Sequence, residues 1–477
     1  MKQKKGAPAV EVQGLTFTYA AAQTPVLKNC SMALHYGEFA LLSGLSGEGK
    51  TTLLSAMAGV IPNCFPGVME GEIFVDEEPV KGRQMAEIAR KVGYVLQNPD
   101  SQIFHDTVAD EIAFGCENLA LPPEEIGRRI ARSCALMGLN PADRTKTLSG
   151  GQKQRLMVAC VLAMGQKILL LDEPLANLDR EGSRLLLDTL KGLCAKGYAV
   201  FLCEHRLDVV SPYVDRVFSL EGGTVKALDR GALSYGSLRK VTPVPAPPCS
   251  AEVVLAAKKL GYAVKDKVIL KDVTFSLRRG ERIVLLGENG SGKTTLLRLL
   301  AGLIKPTSGA VESALGVKRG SRKWFQSVGY ITQEPSYQLF MPTVRDEVSY
   351  GAKGGGAARC MEAFGLEELS LRHPHALSEG QKRRLSIAAV SATAPQVLLL
   401  DEPTVGQDSD RLEGLVRSLN AIHAETGCAM VTVTHDYRCA EALCDRVLWI
   451  KDGALYREGG KELIEEYFYT AQEENAS

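Results

Sequence analysis

The feature that most constrains this chain is a glycine-rich stretch that occurs twice in its 477 residues. Gly44-Leu-Ser-Gly-Glu-Gly-Lys50-Thr51-Thr52 and Gly287-Glu-Asn-Gly-Ser-Gly-Lys293-Thr294-Thr295 both fit the phosphate-loop pattern G-x-x-x-x-G-K-[ST]. Each stretch follows a short apolar run, typical of a buried parallel strand, and precedes a helical pattern. We therefore predict a phosphate loop in each half of the chain, and a chain that binds nucleotide twice.

The residue types in the two loops explain the predicted chemistry. Glycine lets backbone N–H groups surround phosphate oxygens, and the start of the following helix favours negative charge. Lys50 and Lys293 supply a positive charge for the β- and γ-phosphates, and the hydroxyls of Thr51 and Thr294 are suited to Mg²⁺. The predicted nucleotide-binding positions of the loops are Gly44, Gly47, Gly49, Lys50, Thr51, Thr52, Gly287, Gly290, Gly292, Lys293, Thr294 and Thr295.

Composition and charge narrow the class of protein. The chain is 45% hydrophobic and 23% charged, which is ordinary for a folded globular protein. Its 56 basic and 56 acidic residues cancel, which argues against a nucleic-acid partner. Twelve cysteines without a C-x-x-C pair favour reduced thiols in the cytosol. The start lacks the apolar core of a signal peptide, and no apolar run approaches the roughly 18 residues of a membrane span. Any membrane role is therefore expected to come through partners.

A second repeated motif, Leu-Leu-Leu-Asp-Glu-Pro, ends at Pro174 and at Pro403. These two acidic motifs are 229 residues apart, whereas the loop lysines are 243 apart, so the first half carries 14 extra residues between the motifs. We predict that Asp172 and Asp401 hold Mg²⁺ through water, and that Glu173 and Glu402 polarise an attacking water. Strand ends capped by solvated carboxylates are the alternative, which the upstream phosphate loops disfavour.

Apolar runs alternate with helical patterns along both halves. This alternation predicts an α/β fold with a parallel sheet in each half. The pattern from 107 to 139 is helical and predicts a helical subdomain. The stretch Thr242-Pro-Val-Pro-Ala-Pro-Pro248 cannot form helix and is the predicted join. We place domain 1 at residues 1–232, the proline-rich linker at 233–250 and domain 2 at 251–477.

Two further motifs, Leu148-Ser-Gly-Gly-Gln152 and Leu377-Ser-Glu-Gly-Gln381, are called the signature motifs here. With the phosphate loops and acidic motifs in the same order, the chain resembles the ATP-binding cassette family. The resemblance implies ATP and Mg²⁺ as cofactors and ATP hydrolysis as the activity. It implies two tandem P-loop NTPase domains, each a parallel-sheet core with an antiparallel β subdomain and a helical subdomain. It also implies contacts to the γ-phosphate of ATP held by the other cassette from Ser149, Gly150, Gly151, Gln152, Ser378, Gly380 and Gln381.

The remaining positions of the family pattern are occupied as well. The resemblance makes Gln97 and Gln333 the glutamines that sense Mg²⁺, and His205 and His435 the switch histidines. The implied catalytic residues are thus Glu173, His205, Glu402 and His435, and the implied metal-binding residues are Thr51, Gln97, Asp172, Thr294, Gln333 and Asp401. The segments Leu175-Ala-Asn-Leu-Asp179 and Val405-Gly-Gln-Asp408 read as the family's D-loops.

Two tyrosines precede the phosphate loops at equal spacing. Tyr19 and Tyr262 each lie 31 residues before the loop lysine, which suits an aromatic ring that stacks on adenine. Single aromatic residues are more often part of a core, and that alternative stays open here.

The stretch Gln97-Asn-Pro-Asp-Ser-Gln-Ile-Phe104, with Thr107-Val-Ala-Asp-Glu-Ile-Ala-Phe-Gly115 after it, is similar to the ATPases of energy-coupling factor importers. The second half has a weaker version, Gln333-Glu-Pro-Ser-Tyr-Gln-Leu-Phe340. This similarity implies a transmembrane coupling subunit and a small substrate-capturing membrane protein as partners, in the uptake of a vitamin or a metal ion. It places the chain peripherally at the cytoplasmic face of the cell membrane. Gln102 and Gln338 are the candidates for partner contact, with a solvated loop as the alternative.

The second signature motif departs from the family pattern at Glu379, where glycine is usual. In a head-to-tail pair of cassettes within one chain, the site built on Lys50 would face this motif, and the site built on Lys293 would face the first one. A carboxylate about 4 Å from a phosphate charge costs about 4 kcal/mol at an effective dielectric of 20. Rotation into solvent would reduce that cost. We expect the Lys50 site to bind ATP but to close less firmly, so that turnover is asymmetric.

Other functional classes remain in view at this point. One alternative is a soluble twin-cassette ATPase that acts on ribosomes or nucleic acid, and another is the ATPase of a different ABC transporter class. Proteins of the first kind usually carry a long, charged helical linker, whereas this linker is short and proline-rich and the net charge is zero. The sequence therefore favours the importer interpretation, with substrate specificity in another polypeptide.

Overall fold

The computed structural model describes residues 8–44, 47–176, 178–228, 249–265, 267–404 and 409–469. The chain divides into two compact units, Met1–Leu238 and Arg239–Ser477. The predicted linker lies outside the described residues except at Cys249 and Ser250, so the domain boundaries stay predictions.

The first unit contains two sheets. Its strands are β1 (Pro8–Tyr19), β2 (Leu27–His35), β3 (Phe39–Gly44), β4 (Gly67–Val75), β5 (Glu78–Pro79), β6 (Val92–Val95), β7 (Ile168–Asp172), β8 (Ala199–Cys203), β9 (Arg216–Glu221) and β10 (Thr224–Leu228). A four-stranded antiparallel sheet has the order β2-β1-β4-β5. A six-stranded sheet has the order β10-β9-β3-β8-β7-β6 and is parallel except at β10.

Helices connect these strands. They are α1 (Lys50–Met57), α2 (Val60–Asn63), α3 (Met85–Ala89), α4 (Val108–Asn118), α5 (Pro123–Met137), α6 (Gly150–Met164), α7 (Arg180–Cys194) and α8 (Leu207–Val210). Thr107 caps α4, Asp179 caps α7, and Gly138 ends α5 in a left-handed conformation, so the helix ends follow local capping chemistry.

The second unit repeats this plan. Its strands are β11 (Val253–Val264), β12 (Lys267–Arg278), β13 (Arg282–Leu286), β14 (Ser308–Ser313), β15 (Val328–Ile331), β16 (Val397–Asp401), β17 (Ala429–Val433), β18 (Arg446–Lys451) and β19 (Ala454–Gly459). The three-stranded sheet has the order β12-β11-β14, and the six-stranded sheet has the order β15-β16-β17-β13-β18-β19. The helices are α9 (Lys293–Ala301), α10 (Arg322–Ser327), α11 (Val344–Ser349), α12 (Gly356–Ala363), α13 (Glu379–Ala392), α14 (Ser409–Thr426), α15 (Tyr437–Ala442) and α16 (Glu462–Tyr469).

The inner parallel strands of the six-stranded sheets are buried on both faces, which explains their continuous apolar runs, whereas the antiparallel edge strands β10 and β19 are partly exposed. In the first unit one face packs against α1 and the antiparallel sheet, and the other face packs against α4, α6 and α7. The strands β7 and β16 are buried at every position. In sheets of this kind, ligands bind beyond the carboxyl ends of the parallel strands, where the repeated motifs lie.

The predicted fold is observed in each unit: a parallel-sheet core, an antiparallel β subdomain and a helical subdomain. The 14 extra residues fall equally into two intervals. The spacing from loop lysine to glutamine is 47 residues in the first half and 40 in the second, and from glutamine to signature leucine it is 51 and 44. The helix α2 lies in the first interval, and the second contains α5, which has 15 residues where α12 has 8. None of the helices in the described ranges combines the length and apolar character that crossing a bilayer requires.

Candidate nucleotide-binding and hydrolytic sites

Each phosphate loop joins the central strand of a six-stranded sheet to the helix that follows. Gly44 and Gly287 have φ angles of 149° and 150°. A Cβ atom there would lie 2.4 Å from the carbonyl oxygen of Leu220 and 2.3 Å from that of Ile450, respectively. Only glycine fits this close backbone approach, which explains why the loops begin where they do.

The loop lysines are buried and bonded to the backbone of their own loops. Lys50 Nζ donates to the Gly44 carbonyl at 2.8 Å, and Lys293 Nζ donates to the carbonyls of Gly287 and Glu288 at 2.6 and 2.9 Å. Burying an ammonium group is costly without such acceptors. Each loop therefore holds a preset positive charge, as phosphate binding requires.

The aspartates of the acidic motifs lie beside the loop threonines. The Thr51 hydroxyl donates to Asp172 Oδ2 at 2.6 Å, and the Thr294 hydroxyl donates to Asp401 Oδ1 at 3.1 Å. Both aspartates are 1% exposed, and burial raises the pKa of Asp172 and raises that of Asp401 to about 6. A nearby cation would offset this burial, and hydroxyl and carboxylate oxygens are the ligands that Mg²⁺ takes. The residues therefore fit the predicted metal.

Within the described ranges, no three His, Cys, Asp or Glu side chains cluster as a self-sufficient metal site. Mg²⁺ is usually held by one or two protein carboxylates together with waters and substrate phosphates. This donor set therefore matches a metal that arrives with a nucleotide.

The glutamates of the acidic motifs have strained backbones. Glu173 has a φ of 48° and Glu402 a φ of 51°, in the left-handed region that few non-glycine residues occupy. Such strain costs about 1–3 kcal/mol and clusters at functional sites. Its occurrence at the same position in both units supports a chemical role for these two glutamates.

In the first unit the Glu173 carboxylate is held from two sides. His205 Nε2 lies 3.0 Å from Oε1, and Gln97 Nε2 donates to Oε2 at 2.7 Å. Burial alone would raise the pKa of Glu173, but the hydrogen bond and charge of His205, with the charge of Lys50, outweigh it and lower the pKa. The carboxylate is therefore ionised and can accept a proton from water.

The second unit brings the corresponding pair together with a different partner. His435 Nε2 lies 3.3 Å from Glu402 Oε1 and 3.3 Å from Asn289 Oδ1. The backbone N–H of His435 also donates to Glu402 Oε2 at 3.2 Å. Gln333, predicted to correspond to Gln97, is exposed just after β15. The structure thus assembles the predicted glutamate–histidine pair twice.

The signature motifs form helix caps. The Ser149 hydroxyl accepts from the Gln152 N–H at 3.2 Å, and Gln152 Oε1 accepts from the Ser149 N–H at 2.9 Å. Ser378 and Gln381 form the same reciprocal pair at the start of α13. Serine and glutamine at this spacing make a capping box, so the motif fixes the N-terminus of a helix, where anions are favoured. The predicted phosphate contacts of both motifs stay predictions.

Glu379 forms an ion pair within the second signature motif. Lys382 Nζ lies 2.7 Å from Glu379 Oε1. In the first motif the corresponding lysine, Lys153, instead pairs at 2.6 Å with Asp100, in the turn that follows Gln97. The charge of Glu379 is thus paired within its own motif, and the repulsion expected from it stays a prediction.

The two tyrosines before the loops are half-buried. The Tyr19 hydroxyl lies 3.0 Å from Thr52 Oγ1, and its ring meets Phe17 edge to face at 4.8 Å between centroids. Tyr262 packs partly against the core of the second unit. Stacking on adenine stays a prediction for both residues.

Gln102 and Gln338 have a local role that the sequence did not indicate. Gln102 Oε1 accepts from the Leu96 N–H at 2.8 Å, and its Nε2 donates to the Tyr94 carbonyl at 3.3 Å. Gln338 makes the same two bonds to the backbone of Thr332 and Tyr330. These side chains fasten the turn to its edge strand, and their predicted contact with a partner stays a prediction.

The predicted D-loops are described only in part. Asn177 and residues 405–408, in the predicted D-loops, lie outside the described residues.

Glu204 and Arg206, which flank the switch histidine His205, contact the segment after Glu173 and were not predicted. A charged residue directly after the buried strand β8 was the available signal.

Comparison with known proteins agrees with this arrangement. A family described as ABC transporter matches residues 27–176 and 270–405. The "Putative HMP/thiamine import ATP-binding protein YkoD" of Bacillus subtilis (strain 168) is 34% identical over an alignment of 498 positions, gaps included, which covers 94% of this chain and 91% of that protein. The "Putative ABC transporter ATP-binding protein SSO1893" of Saccharolobus solfataricus is 33% identical over an alignment of 503 positions, gaps included, which covers 95% of this chain and 94% of that protein.

Solved structures match across both units. A complex of the archaeal ribosome recycling factor aABCE1 with the ribosomal stalk protein aP1 has a TM-score of 0.68, with 18% identity and coverage of 96% of this chain and 92% of that chain. At this identity the likeness shows the tandem fold alone. The family match and the Bacillus subtilis relative, together with the repeated motifs, show that the chain belongs to the ABC transporter family and is an ATP-binding cassette ATPase with two fused cassettes.

Proposed function

We propose that the chain is the ATP-hydrolysing subunit of an importer of the energy-coupling factor type. It binds to a transmembrane coupling subunit at the cytoplasmic face of the cell membrane, beside a small substrate-capturing membrane protein, and drives uptake of a vitamin or a metal ion. The relative from Bacillus subtilis named for HMP/thiamine import supports a vitamin-type substrate.

In this proposal the two cassettes pair head to tail within one chain. ATP and Mg²⁺ bind at each phosphate loop, and the signature motif of the other cassette completes each site. Glu173 and Glu402 polarise the attacking water, and His205 and His435 orient those glutamates. Binding of ATP draws the cassettes together, hydrolysis releases them, and the membrane partner follows this movement.

The observation that carries the proposal is an exposed aromatic patch after the glutamine of each cassette. Patch 1 comprises Phe104, His105 and Phe114, and patch 2 comprises Phe340 and Tyr350. Phe104 and Phe340 are 75% and 67% exposed. Ring centroids lie 6.5 Å apart for Phe104 and Phe114 and 5.6 Å apart for Phe340 and Tyr350. Rigid aromatic anchors on a surface are typical of protein-binding sites.

Both patches are built on a fixed backbone. The buried carboxylate of Glu111 accepts from the N–H groups of Phe104 and His105 at 2.9 and 2.7 Å. Glu347 accepts in the same way from Phe340 and Met341, at 2.8 Å each. An anchor that is ordered before binding loses little conformational entropy when a partner docks. A helix of a membrane subunit with aliphatic side chains fits such an anchor.

The alternative is a soluble factor that acts on ribosomes, a class to which the aABCE1 structure belongs by its title. The patches favour the importer, because exposed aromatic anchors suit an apolar protein partner, whereas a ribosome presents mainly phosphate charge. The chain also has no excess of basic residues.

Purification of the tagged chain tests the proposal. We expect an integral membrane protein to co-purify in a fixed ratio after solubilisation of native membranes in mild detergent. Recovery of the chain with ribosomes, and with no integral membrane protein, would contradict the proposal and support the alternative.

A further inference from the structure

In cassette 1, which is the first unit, the three residues that follow β8 are Glu204, His205 and Arg206, and all three contact the segment that begins at Glu173. His205 contacts the Glu173 carboxylate itself. Its two neighbours contact the backbone and one side chain that follow Glu173. These contacts extend along the chain from the strained Glu173 into the start of α7.

Glu204 supplies buried acceptors to this region. The residue is 3% exposed, and its Oε1 accepts from the Leu175 N–H at 3.0 Å. Its Oε2 accepts from the N–H of His205 at 2.7 Å and from that of Arg206 at 3.3 Å. One carboxylate therefore links the backbone of His205 and Arg206 to Leu175, two positions after Glu173. Removing it would leave buried N–H groups unpaired.

Arg206 supplies the matching donors. Its Nη1 donates to the carbonyls of Leu175 and Leu178 at 3.2 and 3.1 Å. The same nitrogen donates to the hydroxyl of Ser183, which is fully buried in α7, at 3.3 Å. Charged donors of this kind make stronger hydrogen bonds than neutral ones.

Cassette 2 replaces both residues at the same place. Thr434 and Asp436 flank His435, and the Thr434 hydroxyl lies 3.2 Å from that of Thr404. Asp436 Oδ1 accepts from the N–H groups of Arg438 and Cys439 at the start of α15. Its carboxylate thus caps the helix that follows the histidine, whereas Arg206 extends back to the acidic segment.

We propose that Glu204 and Arg206 are positioning residues that hold Glu173 and His205 in reactive register in cassette 1. The proposal rests on the role of Glu173 assigned under the proposed function. A left-handed glutamate has little conformational support from its own backbone. The clamp formed by Glu204 and Arg206 supplies that support by fixing the chain directly after it. A small displacement of a general base lowers the rate without lowering the affinity for substrate.

The clamp is tested in the purified full chain, without a membrane partner, in backgrounds where only one cassette keeps its glutamate. In a Glu402→Gln background, which leaves Glu173 as the remaining base, we expect Arg206→Ala to lower kcat about tenfold, with KM for ATP changed less than about twofold. In a Glu173→Gln background the same substitution should change kcat by less than about twofold. Equal losses in the two backgrounds, or no loss in the first, would overturn the proposal.

Conservative and control variants separate positioning from folding. Arg206→Lys retains a charged donor, and we expect it to recover about half of the lost kcat. Arg438→Ala removes an arginine that lies three residues after the switch histidine of cassette 2 and pairs with Asp436, and it should leave kcat in the Glu402→Gln background within about twofold of that background alone. Failure of the lysine variant to recover activity, or an equal loss from Arg438→Ala, would contradict the assignment.

Hydrogen exchange gives a readout that does not depend on turnover. We expect Arg206→Ala to accelerate exchange in peptides that cover Glu173 to Ser183, and Arg438→Ala to leave those peptides unchanged. Unchanged exchange in Arg206→Ala would overturn the clamp. The role of Glu173 is tested separately from the clamp. If exchange confirms the clamp but ATP hydrolysis persists when Glu173→Gln is added to the Glu402→Gln background, then Glu173 is not the base.

Discussion

Cassette 1 and cassette 2 are alike in their phosphate loops and differ in the groups around the switch histidines and the signature motifs. Gly44 and Gly287 share the same φ to within a degree. By contrast, the switch histidines have different neighbours, and the signature lysines Lys153 and Lys382 have different acidic partners. The comparison teaches that the nucleotide-binding machinery was kept in both halves, while the groups that position and complete it diverged.

The two main differences act in opposite directions on the site built on Lys50. Its base, Glu173, is held by the clamp of Glu204 and Arg206. The signature motif proposed to face it contains Glu379, whose charge is partly offset by Lys382. An exposed ion pair of this kind contributes about 0–1 kcal/mol, so it reduces the repulsion without removing it. We therefore expect a less favourable closing equilibrium, and not a weaker base, to lower the share of ATP hydrolysis at the Lys50 site.

The largest expected effect concerns the feature that the cassettes share. Phe104→Ser and Phe340→Ser should each weaken binding of the membrane partner about tenfold, because each removes a central aromatic anchor. The measurement is the affinity of the purified chain for the membrane partner in detergent. Phe325→Ser, which removes an exposed phenylalanine outside both patches, is the control. Weaker binding by only one of the two patch variants would show that the two patches are not equivalent.

The next effect separates the two bases. We expect Glu402→Gln to lower steady-state ATP hydrolysis about fivefold and Glu173→Gln to lower it less than about twofold, because about 1 kcal/mol of weaker closure reduces the share of the Lys50 site. ATP hydrolysis by the purified chain measures both. Equal losses of ATP hydrolysis in the two variants would contradict the predicted asymmetry between the two sites.

A smaller effect tests the ion pair in the second signature motif. Lys382→Ala uncovers the charge of Glu379, so we expect the KM for ATP at the Lys50 site to rise about threefold. It is measured in the Glu402→Gln background. The rise should disappear when Glu379→Gly is combined with Lys382→Ala. A rise of the same size in the double variant would mean that Lys382 acts independently of Glu379.

The smallest effect concerns the tyrosine before the first loop. Tyr19→Phe keeps the ring and loses the contact with the Thr52 hydroxyl, so ATP affinity should change less than about twofold. Tyr19→Ala removes the ring and should weaken binding severalfold more. Equal effects of the two variants, measured by ATP binding, would show that the hydroxyl rather than the ring matters.

The sequence predicted the elements whose form follows from local pattern. Phosphate loops, acidic motifs and apolar strands have short-range signatures, and the structure places Thr51 beside Asp172 and Glu173 beside His205 as expected. It did not predict the clamp, because Glu204 and Leu175 are 29 residues apart and meet only through the packing of β7 beside β8.

The glutamines after the edge strands show a second feature that the sequence does not predict. A polar residue in an exposed loop suggested a partner contact, but Gln102 satisfies the backbone of the edge strand that precedes it. Sequence alone does not tell which polar side chains are used internally. The exposure of Phe104 and Phe340 likewise belongs to the folded chain, in which Glu111 and Glu347 order the backbone beside these rings.

Trapping of nucleotide tests the inequality of the two sites most directly. The purified chain, carrying an engineered protease site between the cassettes, is trapped with a photoreactive ATP analogue and vanadate, cross-linked and cleaved. Because trapping requires a closed site, we predict that the half containing Lys293 carries several times more label than the half containing Lys50. Equal labelling of the two halves would contradict this account.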